Sequence, residues 1–327
     1  MQIAVTGSIA TDHLMTFRGS FSDSLVVEQL DKISVSFLAD TLEIRRGGIA
    51  GNICFGMATL GAHPILVGAA GEDFADYRSW LSRHGVVTDH VHISSSRHTA
   101  RFVCTTDDTM AQIATFYAGA MSEARMIELG PIHDQWGLDL VLIGADDPQA
   151  MLRHTEECRA RGIPFVADPS QQLAFADGPF IRKLIDGADY LFTNEYESHL
   201  TETKTGWSQE EIDDRVTTRV ITRGRDGADI RTKGQEPIHV PVAGDVERVD
   251  PTGVGDAFRA GFLVGITGGL GHERCAQMGS VLAAYVLETV GTQEYAVTPA
   301  TFLDRFAGAY GDEAAAEVAP LVSAAHA

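Results

Sequence analysis

Apolar positions fall into two rhythms along this chain. Short unbroken apolar runs occupy residues 3–6, 64–69, 139–143, 165–167, 190–193 and 220–222. Runs of this length without alternation predict strands buried on both faces, as in a parallel sheet. Most are followed by helical spacing, seen over residues 50–60, 74–84, 148–161 and 180–186. Pro148 suits a first helical turn, with Asp146 or Asp147 as its cap. Strands alternating with helices in this way predict an α/β fold: a mostly parallel central sheet with helices on both faces.

Two stretches break the alternation, at about 11–46 and 97–118. Strand-like text appears there at residues 32–37, 42–45, 99–105 and 112–116. We read these as a small antiparallel β-sheet inserted into a single domain spanning 1–327 and placed to act as a lid, with an edge extension without functional motion as the alternative. The last third is helical. Over residues 255–266, Phe258, Phe262 and Ile266 recur at four-residue steps and make one apolar face. Residues 275–287 are apolar nearly all round, which predicts a buried helix. The Ala-rich stretch 313–327 is expected as a final surface helix or a frayed end.

Charge narrows the functional classes. The 327 residues carry 45 acidic against 25 basic side chains, a formal charge of −20. A nucleic-acid binder needs a basic face to displace counterions, so no nucleic acid is expected as partner. No membrane partner is expected either. The start has no leader-like pattern, and the longest apolar stretch near the end, 278–287, is about half a membrane span. Cys54, Cys104, Cys158 and Cys275 are widely spaced without a CxxC pair, which reads as free thiols in a reducing cytoplasm.

Candidate chemistry concentrates in turns. The strongest signal is DPTGVGD, Asp250 to Asp256, leading into a helix. Gly253 and Gly255 allow a tight turn, and a helix start offers unpaired N–H groups and a positive dipole end to an anion. Asp256 in that first turn suits either a helix cap or a base that accepts a proton from an attacking hydroxyl. Rival phosphate motifs fail: there is no GxxxxGK[ST], and a dinucleotide fingerprint lacks its third glycine because Phe258 stands there. A second signal is GGIAGN, Gly47 to Asn52, preceded by Arg45 and Arg46. Here a glycine turn brings backbone, Gly48, and an amide, Asn52, toward a hydroxyl-bearing ligand. Further polar groups sit where strands end: Ser8 and Asp12, the Asp168 to Gln172 stretch, Asn194 to Glu197, and Thr222 with Gly224. The Asp256 turn joins them if a strand ends near Val249. Ligands of open α/β sheets bind at that edge. His90 and His92, two apart in an expected strand, read as solvated side chains.

GGIAGN and DPTGVGDAF resemble the two signatures of the PfkB, or ribokinase-like, carbohydrate kinases. The stretches AVTGSIATDHLM, HTARFVCTTDDTMAQIATFYAGAMSEAR, DPSQQLA and DPTGVGDAFRAGF resemble bacterial adenosine kinases of the actinobacterial type. The resemblance implies a ribokinase-like core with a β lid, and transfer of the γ-phosphoryl of ATP to the 5′-hydroxyl of adenosine. It implies Mg²⁺, with K⁺ as a candidate activator, and a homodimer formed through the lid. Asp256 matches the family's base, and Gly253, Val254 and Gly255 its anion hole. Asp12, Gly48 and Asn52 correspond to groups that hold the ribose. Ser8, Gln171 and Gln172 correspond to groups at the nucleoside's polar edges, and Phe102 and Phe116 flank the adenine. Asn194 and Glu197 match an NxxE motif in which Glu197 holds magnesium through water. Thr222, Gly224 and Gly227 line the ATP pocket, and Arg46 offsets charge on the transferred phosphate. A kinase of free ribose or fructose, and a nucleoside-binding protein of the same fold without catalysis, are the alternatives.

Overall fold

The computed structural model describes residues 1–24, 36–244 and 246–323. A sheet of nine strands forms its centre, in the order β13-β12-β11-β10-β9-β8-β1-β4-β5. Its members are β1 (Ile3–Thr6), β4 (Ile65–Gly71), β5 (Val91–Ser94), β8 (Leu140–Ile143), β9 (Phe165–Ala167), β10 (Tyr190–Asn194), β11 (Thr218–Thr222), β12 (Ala228–Thr232) and β13 (Ile238–Val240). Every pairing from β5 to β11 is parallel, and only the β11–β12 and β12–β13 pairings at one edge are antiparallel. Apart from edge strand β5, the parallel strands coincide with the unbroken apolar runs, and β1, β4, β8 and β9 are buried throughout. A strand covered on both faces has no use for alternating polar residues.

Helices cover both faces, and two apolar clusters fill the layers between them and the sheet. Helix Pro148–Arg161 shows how locally its ends are set. Asp147 accepts from the N–H groups of Gln149 and Ala150, Pro148 takes the first turn, and Gly162 closes the helix in the left-handed conformation. The terminal stretch forms a helix over Asp312–Ser323. All four cysteines are free and buried. No helix among the described residues is long and apolar enough to cross a membrane.

A second sheet stands apart, in the order β3-β2-β6-β7. It comprises β2 (Ala10–Phe17), β3 (Thr41–Gly47), β6 (Ala100–Asp107) and β7 (Gln112–Tyr117). Its pairing is mixed rather than antiparallel throughout as expected: β2 runs antiparallel to β3 but parallel to β6, because its two central strands come from separate insertions. Much of the expected strand at 32–37 lies outside the described residues; the one expected at 42–45 is part of β3. The sheet leaves apolar side chains uncovered: Leu42, Ile44, Ile113, Phe116 and Tyr117 are all exposed.

No strand ends near Val249: the N–H groups of Val249 and Asp250 instead donate to the carbonyl of Leu287, so a loop docked on a helix end carries the Asp256 turn. His90 and His92 are not simply solvated. His90 accepts from the Trp136 indole N–H at 2.8 Å, and His92 lies 2.9 Å from a Glu123 carboxylate oxygen.

Candidate active site

The parallel strands all end on one edge, so Ser8, Asp168, Asn194 and Thr222 come to the same side of the sheet. Helix Val254–Thr267 starts there. Gly253 precedes it with φ +78°, and a Cβ at that position would lie 2.8 Å from the Thr292 Cγ2. Any larger residue would meet both backbone strain and a clash. The Val254 N–H donates to the Pro251 carbonyl, but the Gly255 and Asp256 N–H groups have no acceptor among the described residues. They are the free donors that make a helix start attractive to an anion.

Asp256 is partly buried beside those amides. Burial raises its carboxyl to about 6, against the Asn52 hydrogen bond and the Arg259 charge, which lower it; Asp168 and Glu197 add to the rise. A carboxylate at that value is mostly ionised at neutral pH yet keeps some basicity, which suits a general base. Asn52 Nδ2 donates to Asp256 Oδ2 at 2.9 Å. Asn52 thus serves the carboxylate directly, and its oxygen is taken by Gln293 Nε2 at 2.9 Å.

Arg259 went unremarked in the sequence. It lies one turn beyond Asp256 on the same helix, a spacing that could have flagged it. It is buried and forms a two-pronged pair with Asp168, at 2.5 Å and 2.7 Å, while donating to the Gly255 carbonyl at 3.1 Å. Asp168 is therefore committed to Arg259, where the sequence left it as one polar residue at a strand end. Arg46, expected to offset phosphate charge, instead stacks over the Trp80 ring at 4.2 Å and faces Glu294 at 4.0 Å.

Asn194 and Glu197 form a capping box on helix Glu195–Thr205, each side chain bonded to the other's backbone N–H at 2.8 Å. Only Glu197 Oε2 is used in this way, and burial pushes the carboxyl above its ordinary value. Thr222, Gly224, Gly227, Val254 and Gly255 line a groove of about 760 Å³ floored by Phe258 and Leu287. That size suits a nucleotide. Asn194 and Glu197 are not among the groove's lining residues.

The remaining predicted residues lie toward the second sheet. Asp12 on β2 sits between Arg45 and Phe102, and Phe102 stands opposite Phe116 on β7. Burial raises the Asp12 carboxyl to about 6, Arg45 lowers it and Asp250 raises it. Phe102 is 36% and Phe116 52% exposed, so neither ring is spent on the core. Ser8 is engaged internally: its Oγ accepts from Ile49 N–H and its carbonyl from Ala50 N–H. Gly48, at φ +90°, is required by the chain itself, because a Cβ would lie 2.5 Å from the Ser8 carbonyl oxygen. Its own N–H has no acceptor among the described residues. Gln172 donates to the Asp146 carbonyl at 2.8 Å, and exposed Gln171 accepts from Ser170.

The profile of the pfkB family carbohydrate kinases matches residues 10–299. A nucleoside kinase of Methanocaldococcus jannaschii is 28% identical over 270 residues, covering 82% of this chain and 87% of that protein. The ribokinase of Bacillus subtilis is 26% identical over 84% of this chain and 93% of its own length. Among solved structures, a Burkholderia thailandensis nucleoside kinase in complex with inosine superposes with a TM-score of 0.82 at 35% identity, covering 95% of this chain and 98% of that one. The free helix-start amides, the Asp256 carboxylate and the groove beside them thus belong to a phosphotransferase with an alcohol acceptor, and the chain is a member of the pfkB family of carbohydrate kinases.

Proposed function

We propose that this kinase transfers the γ-phosphoryl of ATP to the 5′-hydroxyl of a purine nucleoside, adenosine first among them. The observation that carries this is the Asp256 carboxylate with the two free helix-start amides of Gly255 and Asp256, on the helix whose Val254 and Gly255 line a groove of about 760 Å³. ATP lies in the groove between Thr222, Gly224, Gly227 and the helix start. The nucleoside lies between that turn and the second sheet. Asp256 takes the proton of the attacking hydroxyl, and the Gly255 and Asp256 N–H groups receive the charge that develops on the transferred phosphoryl. Asp12 accepts from the ribose diol, the Gly48 N–H donates to it, and Phe102 and Phe116 stack on the base. Gln171 is the amide best exposed to read the base edge.

Magnesium fits a limited donor set. No group of three or more metal-ligating side chains exists among the described residues. Mg²⁺ binds through one or two carboxylates, waters and substrate phosphates, so the free oxygen of Glu197 is a sufficient protein contribution. When bound, it shields the phosphate charges. The uncovered face of the second sheet that carries Leu42, Ile44, Ile113 and Tyr117, opposite the one with Phe102 and Phe116, supports pairing of two copies through it.

Two observations favour nucleosides over free sugars: the exposed aromatic pair, and the inosine bound by the Burkholderia enzyme. The test is ADP release from Mg-ATP with adenosine, inosine, guanosine, ribose and fructose. Turnover confined to purine nucleosides is the expected result. Equal turnover of free ribose would overturn the base-stacking role.

A further inference from the structure

Asp256 does not stand alone behind the helix start. Asn52, on helix Ile49–Thr59, donates to it, and the Asn52 oxygen accepts from Gln293. The same Gln293 Nε2 also donates to the Tyr77 hydroxyl at 2.5 Å, and that hydroxyl donates onward to the Gly47 carbonyl at 3.0 Å. Gln293 lies in the loop beyond helix His272–Leu287, and Tyr77 on helix Ala75–Arg83. The segments that meet here are far apart in sequence, since Gln293 and Asn52 are separated by 241 positions.

The direction of this chain is forced. An ionised Asp256 only accepts, so it requires the Asn52 N–H. The Asn52 oxygen then needs a donor, and Tyr77, which gives its proton to Gly47, needs one as well. Gln293 answers both with one amide nitrogen and leaves its own Oε1 without a partner among the described residues. An unsatisfied buried oxygen is costly, so the arrangement has a reason beyond packing. Reversing Gln293 would put its oxygen against the Asn52 oxygen, turn Asn52 over, and set a carbonyl against the carboxylate.

We propose that Gln293 and Tyr77 are positioning residues that lock the Asn52 amide with its N–H toward Asp256, holding the base ionised and aimed. This rests on Asp256 being the base. The charged groups around Asp256 are Arg259 on its own helix, Asp168 after β9 and Glu197 on helix Glu195–Thr205. The nearby hydroxyls and thiol of Tyr77, Tyr295 and Cys54 are pushed up by burial and stay protonated through the working range. None of these substitutes for the Asn52 donor.

The test is kcat against pH, with Mg-ATP and either adenosine or inosine, for Gln293→Met and Tyr77→Phe. Met keeps the shape of Gln without adding charge, and Phe keeps the ring. Thermal unfolding of each variant establishes folding. The acid limb should rise by roughly half to one pH unit in Gln293→Met, with kcat below the limb falling about three- to tenfold. Tyr77→Phe should move it the same way by less. A purely structural role would lower the unfolding midpoint and leave the limb in place. A wild-type limb in Gln293→Met overturns the proposal, and if that variant does not fold, a wild-type limb in Tyr77→Phe does so. Asp256→Asn is run alongside: its inactivity with unmoved limbs sinks only the lock, whereas its activity removes the base assignment itself.

Discussion

Two glycine turns open two helices in this protein, and they use their amides differently. At Gly48, the first two helical N–H groups, from Ile49 and Ala50, both donate to Ser8. The chain caps its own helix, and the missing Cβ makes room for the Ser8 to Ala10 backbone. At Gly253, the Val254 amide is used within the turn, and those of Gly255 and Asp256 remain open. One turn closes a fold; the other leaves a charge site beside a carboxylate. A glycine-led helix start is therefore an anion site only where its N–H groups are unspent.

The comparison breaks most sharply at Asp256. Asp256→Asn keeps the size of the side chain and should fold, yet lose kcat by on the order of a thousandfold, the scale of a lost general base. Retention of most activity would return the turn to a structural role. The glycines separate next. Gly48→Ala places a methyl against backbone at 2.5 Å and should chiefly destabilise, by on the order of 2–4 kcal/mol in thermal unfolding. Gly253→Ala meets the Thr292 side chain rather than backbone, at 2.8 Å, and should lower kcat by more than its loss of stability explains. If Gly48→Ala lost only activity, the contrast between the turns would fail.

Phe102→Ala tests the ligand side. The ring is 36% exposed, so stability should hold, while the nucleoside KM rises about tenfold and that of ATP stays level. Equal weakening of both would remove the stacking role. The smallest effect is in pH. A carboxyl raised to about 6 must lose its proton to act, so kcat should climb through that value and level off above it. Asp12 titrates near the same value and should sharpen kcat/KM alone. Asp12→Asn should then flatten that extra dependence and leave the kcat limb.

Much of the fold was legible. β1, β9 and helix Pro148–Arg161 stand where apolar runs and the Asp147-Pro148 cap place them, because local chemistry decides those ends. The strand expected at Val249 was not there: its valines sit in a loop whose N–H groups bond a helix end, a partner no local pattern reveals. β12, with its alternating ADIRT, went unread beside the longer apolar runs. In the site, Asp256, Gly253 and Gly255 were readable as a motif in one segment. Arg259 was readable in principle from its spacing. Gln293 and Tyr77 were not, since their role exists only once distant segments meet around Asn52.

The most direct test of the account is single-turnover ADP formation by wild type and Asp256→Asn, with Mg-ATP and adenosine, inosine or ribose. Wild type should turn over a purine nucleoside rapidly and ribose little, and Asp256→Asn should lose nearly all turnover while still binding nucleoside. Comparable rates in the variant, or ribose turned over as well as either nucleoside, would contradict it.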